Sequence, residues 1–114
     1  MPITELYANT QAVDTTEWSC VNDSSSIATD GTTGVFQTFL DVSDMVAGDI
    51  LQINAYEKVR SSDTQRIVYT AILRDAQSEP VWVSPSLILM HGWDFSLKAV
   101  AGTVTVNWSI RQIA

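Results

Sequence analysis

Apolar residues alternate with polar ones along most of the chain, and helical spacing is nearly absent. In "TVTVNWSIRQ", Val104, Val106, Trp108 and Ile110 share one face, and Thr103, Thr105, Asn107, Ser109 and Arg111 share the other. "WDFSLKA" repeats the pattern with Trp93, Phe95, Leu97 and Ala99 inward. In "VFQTFLDV", Phe36, Leu40 and Val42 fall together with Thr38, while Phe39 interrupts the polar face. "DILQINAYEKV" and "QRIVYTAILR" flank the polar turn "RSSDT" and read as a long hairpin. One strand aligns Leu51, Ile53 and Ala55; the other aligns Ile67, Tyr69, Ala71 and Leu73. Their opposite faces carry Ile50, Tyr56, Val68 and Ile72, which predicts a hairpin covered on both sides.

About seven short strands separated by turns predict an all-β fold, an antiparallel β-sandwich of jelly-roll-like type. A barrel satisfies the same pattern, and strand order is not legible. At most one short helical turn is expected, near residues 43–47, where Asp41 or Ser43 would cap it and Gly48 end it. "VAGDI" at Val46 and "VAGTV" at Val100 each place glycine just before a strand, as shared turn chemistry rather than duplication. "NDSSSIATDGTTG", from Asn22 to Gly34, is a polar loop by composition. Residues 1–10 form either a first strand or an N-terminal arm. The 114 residues are expected to make one domain, 1–114, with enough apolar content (46%) for a core without staples.

Charge narrows the partners. The formal net charge of −7 argues against nucleic acid and against an anionic membrane surface. It is also segregated: Met1–Glu57 holds nine acids and no lysine or arginine, and Lys58–Ala114 holds four acids and all six bases. Contact between such halves of two molecules is electrostatically favourable, although a solvated acidic surface accounts for the same distribution. One cysteine, Cys20, excludes an intrachain disulfide and reads as a buried small hydrophobe. "MPITELYANT" lacks the basic start and apolar core of a secretory signal, so the sequons at Asn22 and Asn107 carry no expectation of glycosylation. No stretch is long and apolar enough to span a bilayer as a helix.

Candidate chemistry is sparse. His91 is the only histidine, and no Gly-x-Ser-x-Gly elbow accompanies it. "MHGW" reads as a turn in which Gly92 supplies the backbone freedom. Asp41, Asp44 and Asp49 could offer oxygens to calcium but lack a calcium loop's spacing; capping and solvation explain them. Asp94 falls on the polar face of its strand. No glycine-rich phosphate loop is present. The expectation is no enzyme, no metal and no cofactor. Among the aromatics, Trp93 and Trp108 face inward by parity, leaving Tyr56 and Trp82 as the freer ones. Trp82, out of phase with Val81 and Val83, either anchors a protein contact or packs in the core.

Four stretches, "FQTFLDVSDMVAGDILQINAYEKV", "TQRIVYTAIL", "AQSEPVWVSPSLILMHGWDFSLKAVAGT" and "WSIRQI", together resemble a group of small tailed-phage virion proteins, over roughly residues 35–113. Members show a strand, an "LDxSxxxAGD" turn, a strand ending in "YEKV", and a "GW" strand before "AGT". The resemblance implies a structural bacteriophage protein, a cement or decoration protein on the outside of the capsid. It would bind the major capsid protein at subunit joints, so that many weak contacts stabilise the shell together. It further implies localisation on the virion surface after synthesis in the host cytoplasm. It assigns no functional residue. A homo-oligomer, by symmetry a trimer, is expected at a threefold joint. The residues singled out for partner contact are Ile3, Leu6 and Tyr7 in the N-terminal segment, with Tyr56 and Trp82. A neck, tail or fibre-attachment component and a carbohydrate-binding sandwich remain the alternatives.

Overall fold

The structure is a computed structural model and describes residues 2–113. Two antiparallel sheets pack face to face into a slab 40 × 32 × 20 Å. The strands are β1 (Ile3–Val13), β2 (Trp18–Ser19), β3 (Gly34–Asp41), β4 (Ile50–Glu57), β5 (Arg66–Arg74), β6 (Val81–Val83), β7 (Leu87–Leu89), β8 (Asp94–Ala101) and β9 (Val104–Ile113). Sheet A runs β1-β9-β3-β6, with β7 also pairing β3; sheet B runs β2-β8-β4-β5. Counting β6 and β7 as one interrupted strand, every link except the β4–β5 hairpin crosses from one sheet to the other. That order is a jelly roll.

The interruption has a local cause. Pro85 cannot donate to a ladder, and Pro80 precedes β6, so this segment is confined to the sheet's edge. Ser84 bridges the gap: its hydroxyl accepts from the Thr38 amide (2.9 Å), and its own amide donates to the Thr38 carbonyl (2.9 Å).

The core forms where the alternation placed it. Val104, Val106, Trp108 and Ile110 of β9 and Phe36, Thr38 and Leu40 of β3 face Leu51, Ile53 and Ala55 of β4 and Phe95, Leu97 and Ala99 of β8, all of them buried. Trp93, immediately before β8, is the aromatic centre. Its ring lies 4.3 Å from Phe36 and 6.0 Å from Phe95, and its Nε1 donates to the Thr32 carbonyl (2.8 Å).

No helical turn forms at 43–47, within the expectation of at most one; two turns follow each other there, closed by Met45 N to Val42 O and Asp49 N to Val46 O, both 3.1 Å. The hairpin's outer side is covered along β4, where Glu17 reaches Asn54 and Tyr56, but not along β5, where Val68 and Ile72 are half-exposed. Ile67 is half-exposed too, because β5 carries an extra residue at Val68: Ala55 pairs Tyr69 but Tyr56 pairs Ile67. Of the segment 1–10, strand or arm by sequence, residues 3–10 belong to an eleven-residue edge strand, Ile3–Val13, against β9.

The two "VAG" turns meet. Ile50 pairs Ala101, and a Cβ on Gly102 (φ +79°) would lie 2.0 Å from Asp49 Oδ1. Only glycine fits there, by both conformation and space. Gly92 in "MHGW" has φ +56°, as the turn reading requires.

Candidate interaction surface

The outward face of sheet A follows from strand register. Ile3 of β1 stands beside Ile113 of β9, Ile113 beside Val35 of β3, and Val35 beside Ile88 of β7. These four apolar side chains make one row across the sheet; Ile3 is 68% and Ile88 80% exposed. The next outward row is Glu5, Arg111 and Gln37, and the one after it runs Ala8, Ser109, Phe39 and Val83. Val81, 53% exposed, extends the apolar surface beside Asp41.

Arg111 organises the middle of this face. Its guanidinium lies 3.8 Å from the centroid of the Phe39 ring, a cation–π contact. Its Nε donates to Ser109 Oγ (3.2 Å), and that hydroxyl donates to Glu5 Oε2 (2.5 Å). A shallow cleft opens on either side of the stacked pair. One, of about 230 Å³, is lined by Asp41, Val81, Asn107 and Trp108 as well as the pair. The other, of about 150 Å³, is lined by Ile3, Val35, Ser86 and Ile113. Apolar side chains with one cation between them suit protein contact: an arginine held flat by an aromatic ring keeps its outer N–H groups for a partner. With Glu5 and Asp41 beside its single arginine, the face is a poor match for a phosphate backbone.

Of the five residues expected to contact partners, Ile3 alone lies on this face. Leu6 is the extra residue of a bulge between Glu5 and Tyr7 and is half-buried against the core. That bulge turns Tyr7 inward, opposite buried Ile110; its ring meets Trp93 edge-on at 6.3 Å, and its hydroxyl donates to Asp30. Burial and the Asp30 carboxylate push its phenol up to about 12. Trp82 pairs with buried Leu40 and packs on the core, so Val81 and Val83 are the exposed members of β6. Tyr56 sits on the outer face of sheet B, its hydroxyl donating to Glu17 Oε2 (2.6 Å), and is also pushed up to about 12 by burial and that carboxylate. Of the residues that make the face, Val35, Phe39, Ile88 and Ile113 had one visible signal, apolar side chains on the polar parity of their strands, and Arg111 had none.

The other chemical candidates serve the backbone. The His91 amide and the Met90 amide both donate to Glu57 Oε2 (3.0 and 2.6 Å), and the His91 carbonyl accepts from Lys58 (2.8 Å). Asp41 accepts from the Ser43 amide, Asp44 from Thr105 and Asp49 from Val46, so the three carboxylates bind separate turns. Among the described residues, no group of three or more histidine, cysteine or acidic side chains could hold a metal ion. Cys20 is buried, which pushes its thiol well above the usual range.

The segment between β1 and β3 crosses the outer face of sheet B, bringing one acid, Glu17, onto it and covering another, Asp94. Glu17 Oε2 accepts from Tyr56, from Asn54 Nδ2 (3.0 Å) and from the Ser96 hydroxyl. Burial pushes this carboxyl up, but those three bonds outweigh it and hold it below its ordinary value. Asp94 is fully buried beneath residues 19–28 and accepts from the Ala28 amide (3.0 Å). Here burial wins over the hydrogen bonds of Ala28, Ser19, Val21 and Phe95, and the carboxyl is pushed up to about 6.

No protein-family model matches the chain, and no curated protein matches it in sequence. Solved structures resemble it in fold. PirA aligns with a TM-score of 0.57 at 7% identity, covering 91% of this chain and 93% of PirA. The Yersinia pseudotuberculosis-derived mitogen aligns at 0.54 and 9% identity, covering 99% of this chain and 86% of the mitogen. A protein of naturally empty cowpea mosaic virus particles aligns at 0.45 and 8%, over 75% of this chain and 56% of that one. At these identities the first two likenesses establish the jelly-roll sandwich and nothing about activity, and the third adds no argument.

Proposed function

We propose that the chain is a non-enzymatic structural protein of a phage particle, a cement or decoration protein that attaches to the outside of the capsid and stabilises the shell. The observation that carries this reading is the outward face of sheet A. The Ile3–Ile113–Val35–Ile88 row and the Arg111–Phe39 pair make an exposed apolar surface with a cation at its centre. Exposed apolar area of this kind on a small domain marks a contact surface. The resemblance of residues 35–113 to small virion proteins supplies the kind of partner, the major capsid protein. A single copy would bind modestly through such a face, and repetition over the shell would make the total large.

The test is reconstitution. Capsids of the encoding phage, stripped of or lacking the protein, are incubated with the wild type and with Ile88→Glu and Val83→Glu. Both substituted residues lie on the outward face, so folding should be retained. The expected result is saturable decoration by the wild type, loss of decoration by both variants, and DNA release at lower temperature from undecorated particles. Undiminished decoration by both variants would remove this face from the reading. A wild type that binds only one vertex or the tail would move the protein to the neck or tail.

A further inference from the structure

Both sheets end in long strands with one free edge. β1, eleven residues, closes sheet A, and β5, nine residues, closes sheet B. Such edges offer unpaired N–H and C=O groups to another strand. Their side chains are opposite in sign. β5 has exposed Arg66 and Arg74 at its two ends and no acid between them. β1 has Glu5 near its start and Asp14 just past its end, both exposed, with no cation anywhere in residues 1–57. The segment after β1 adds to this sign, because Asp23 is tied to β1 by a bond from Asn9 Nδ2 (2.5 Å). Between the two arginines, Ile67, Val68 and Ile72 are half-exposed on β5, an apolar stretch that the molecule itself leaves uncovered.

Charge selects among the ways two edges could meet. If β5 paired with β5 of a second copy about Thr70, the arginine end of each strand would lie beside an arginine end of the other, like beside like. Two β1 edges would likewise bring acid against acid. Pairing of β5 with β1 instead lays the basic ends of one strand beside the acidic ends of the other, an attractive arrangement.

We infer that copies of this chain associate head to tail, the β5 edge of one along the β1 edge of the next, so that sheet B of one molecule continues into sheet A of its neighbour. The occupant of each edge is a second copy of the chain. Such an interface uses two different surfaces and therefore builds a closed ring or an open row rather than a two-fold dimer. The outward face of sheet A stays uncovered, because pairing at an edge consumes backbone groups and not the face. Two backbone groups of β1 are already held locally, the Thr10 amide by Asn9 Oδ1 (2.9 Å) and the Ala12 carbonyl by Gln11 Nε2 (3.4 Å), bonds the incoming strand replaces.

Sedimentation velocity on the purified chain at low and high salt tests this with two variants. Arg66→Glu/Arg74→Glu makes the β5 edge acidic; Glu5→Lys/Asp14→Lys makes the β1 edge basic. The wild type should assemble beyond a dimer in low salt and dissociate as salt rises. Each variant alone should weaken association at least about tenfold. Mixing the two should restore a complex, because the acidic β1 edge of the first still fits the basic β5 edge of the second. Arg66→Gln/Arg74→Gln, read alongside thermal melting, covers the case in which the charge reversal disturbs folding, and it should weaken association in the same direction. A monomeric wild type at low salt would overturn the inference, as would assembly retained in both charge-reversed variants. Failure of the mixture to re-form a complex would overturn it too.

Discussion

Asp94→Asn should flatten one part of the pH–stability curve. Asp94 is fully buried beneath the segment that follows β2, and its carboxyl rises from 3.8 to about 6, chiefly through burial. A carboxyl raised in the folded state favours the fold while it is protonated. Its contribution is therefore complete below the unfolded value near 4 and is lost as pH rises through about 6. The gap between those two values corresponds to about 3 kcal/mol. Wild type should lose up to that amount between pH about 4 and pH about 6 from this group, and Asp94→Asn, neutral throughout, should not. At pH 7 the variant should be the more stable by about 1–3 kcal/mol, the lower end applying because asparagine weakens the bond from Ala28 and must place an extra N–H₂. Glu17 acts in the opposite sense. Its lowered carboxyl contributes stability above its unfolded value that is lost as pH falls through its folded one, so the wild-type curve is a composite. The difference between the two proteins isolates Asp94. Urea unfolding at closely spaced pH values from 4 to 8 gives both curves; parallel curves, or a variant that is less stable at pH 7, would refute the reasoning.

Gly102→Ala should cost more than 2 kcal/mol, because a Cβ would strike the Asp49 carboxylate in a backbone that side chains avoid; chemical denaturation measures it, and a neutral result would displace the turn geometry. Trp108→Ala should cost about 3–5 kcal/mol, as truncation of a buried large aromatic does, and an unchanged melting curve would contradict the inward face of β9. Its Nε1 has no acceptor among the described residues, so Trp108→Phe should cost markedly less. His91→Gln should leave particle assembly and thermal survival unchanged, since what this position contributes is backbone hydrogen bonding; complete loss of function in a folded variant would reopen a chemical role.

Much of the fold was legible because a strand's side chains alternate with period two. Relative phase along β3, β4, β8 and β9 came directly from that alternation, and so did the buried set around Phe95, Leu97, Val106 and Trp108. Phase alone does not say which phase is inward. Alternation sets Trp82 apart from Val81 and Val83, yet its side is the buried one, because register places it opposite Leu40. Bulges defeat parity altogether: one extra residue at Leu6 turns Tyr7 inward, and one at Val68 turns Ile67 out. Asp94 falls on the polar face of its strand by alternation and lies there, but residues 19–28 fold over it, a contact between segments more than sixty residues apart. The interaction face depended on strand order, which no local pattern encodes. Ile3, Val35, Ile88 and Ile113 become one row only once β1, β9, β3 and β7 are neighbours.

The cement reading proposes that a phage encodes the chain, and copy number in purified particles of that phage tests it most directly. Quantitative mass spectrometry against the major capsid protein should find this chain in a fixed, high ratio, as repeated binding over the whole shell requires. A handful of copies per particle, as at a single vertex or a tail, would contradict it.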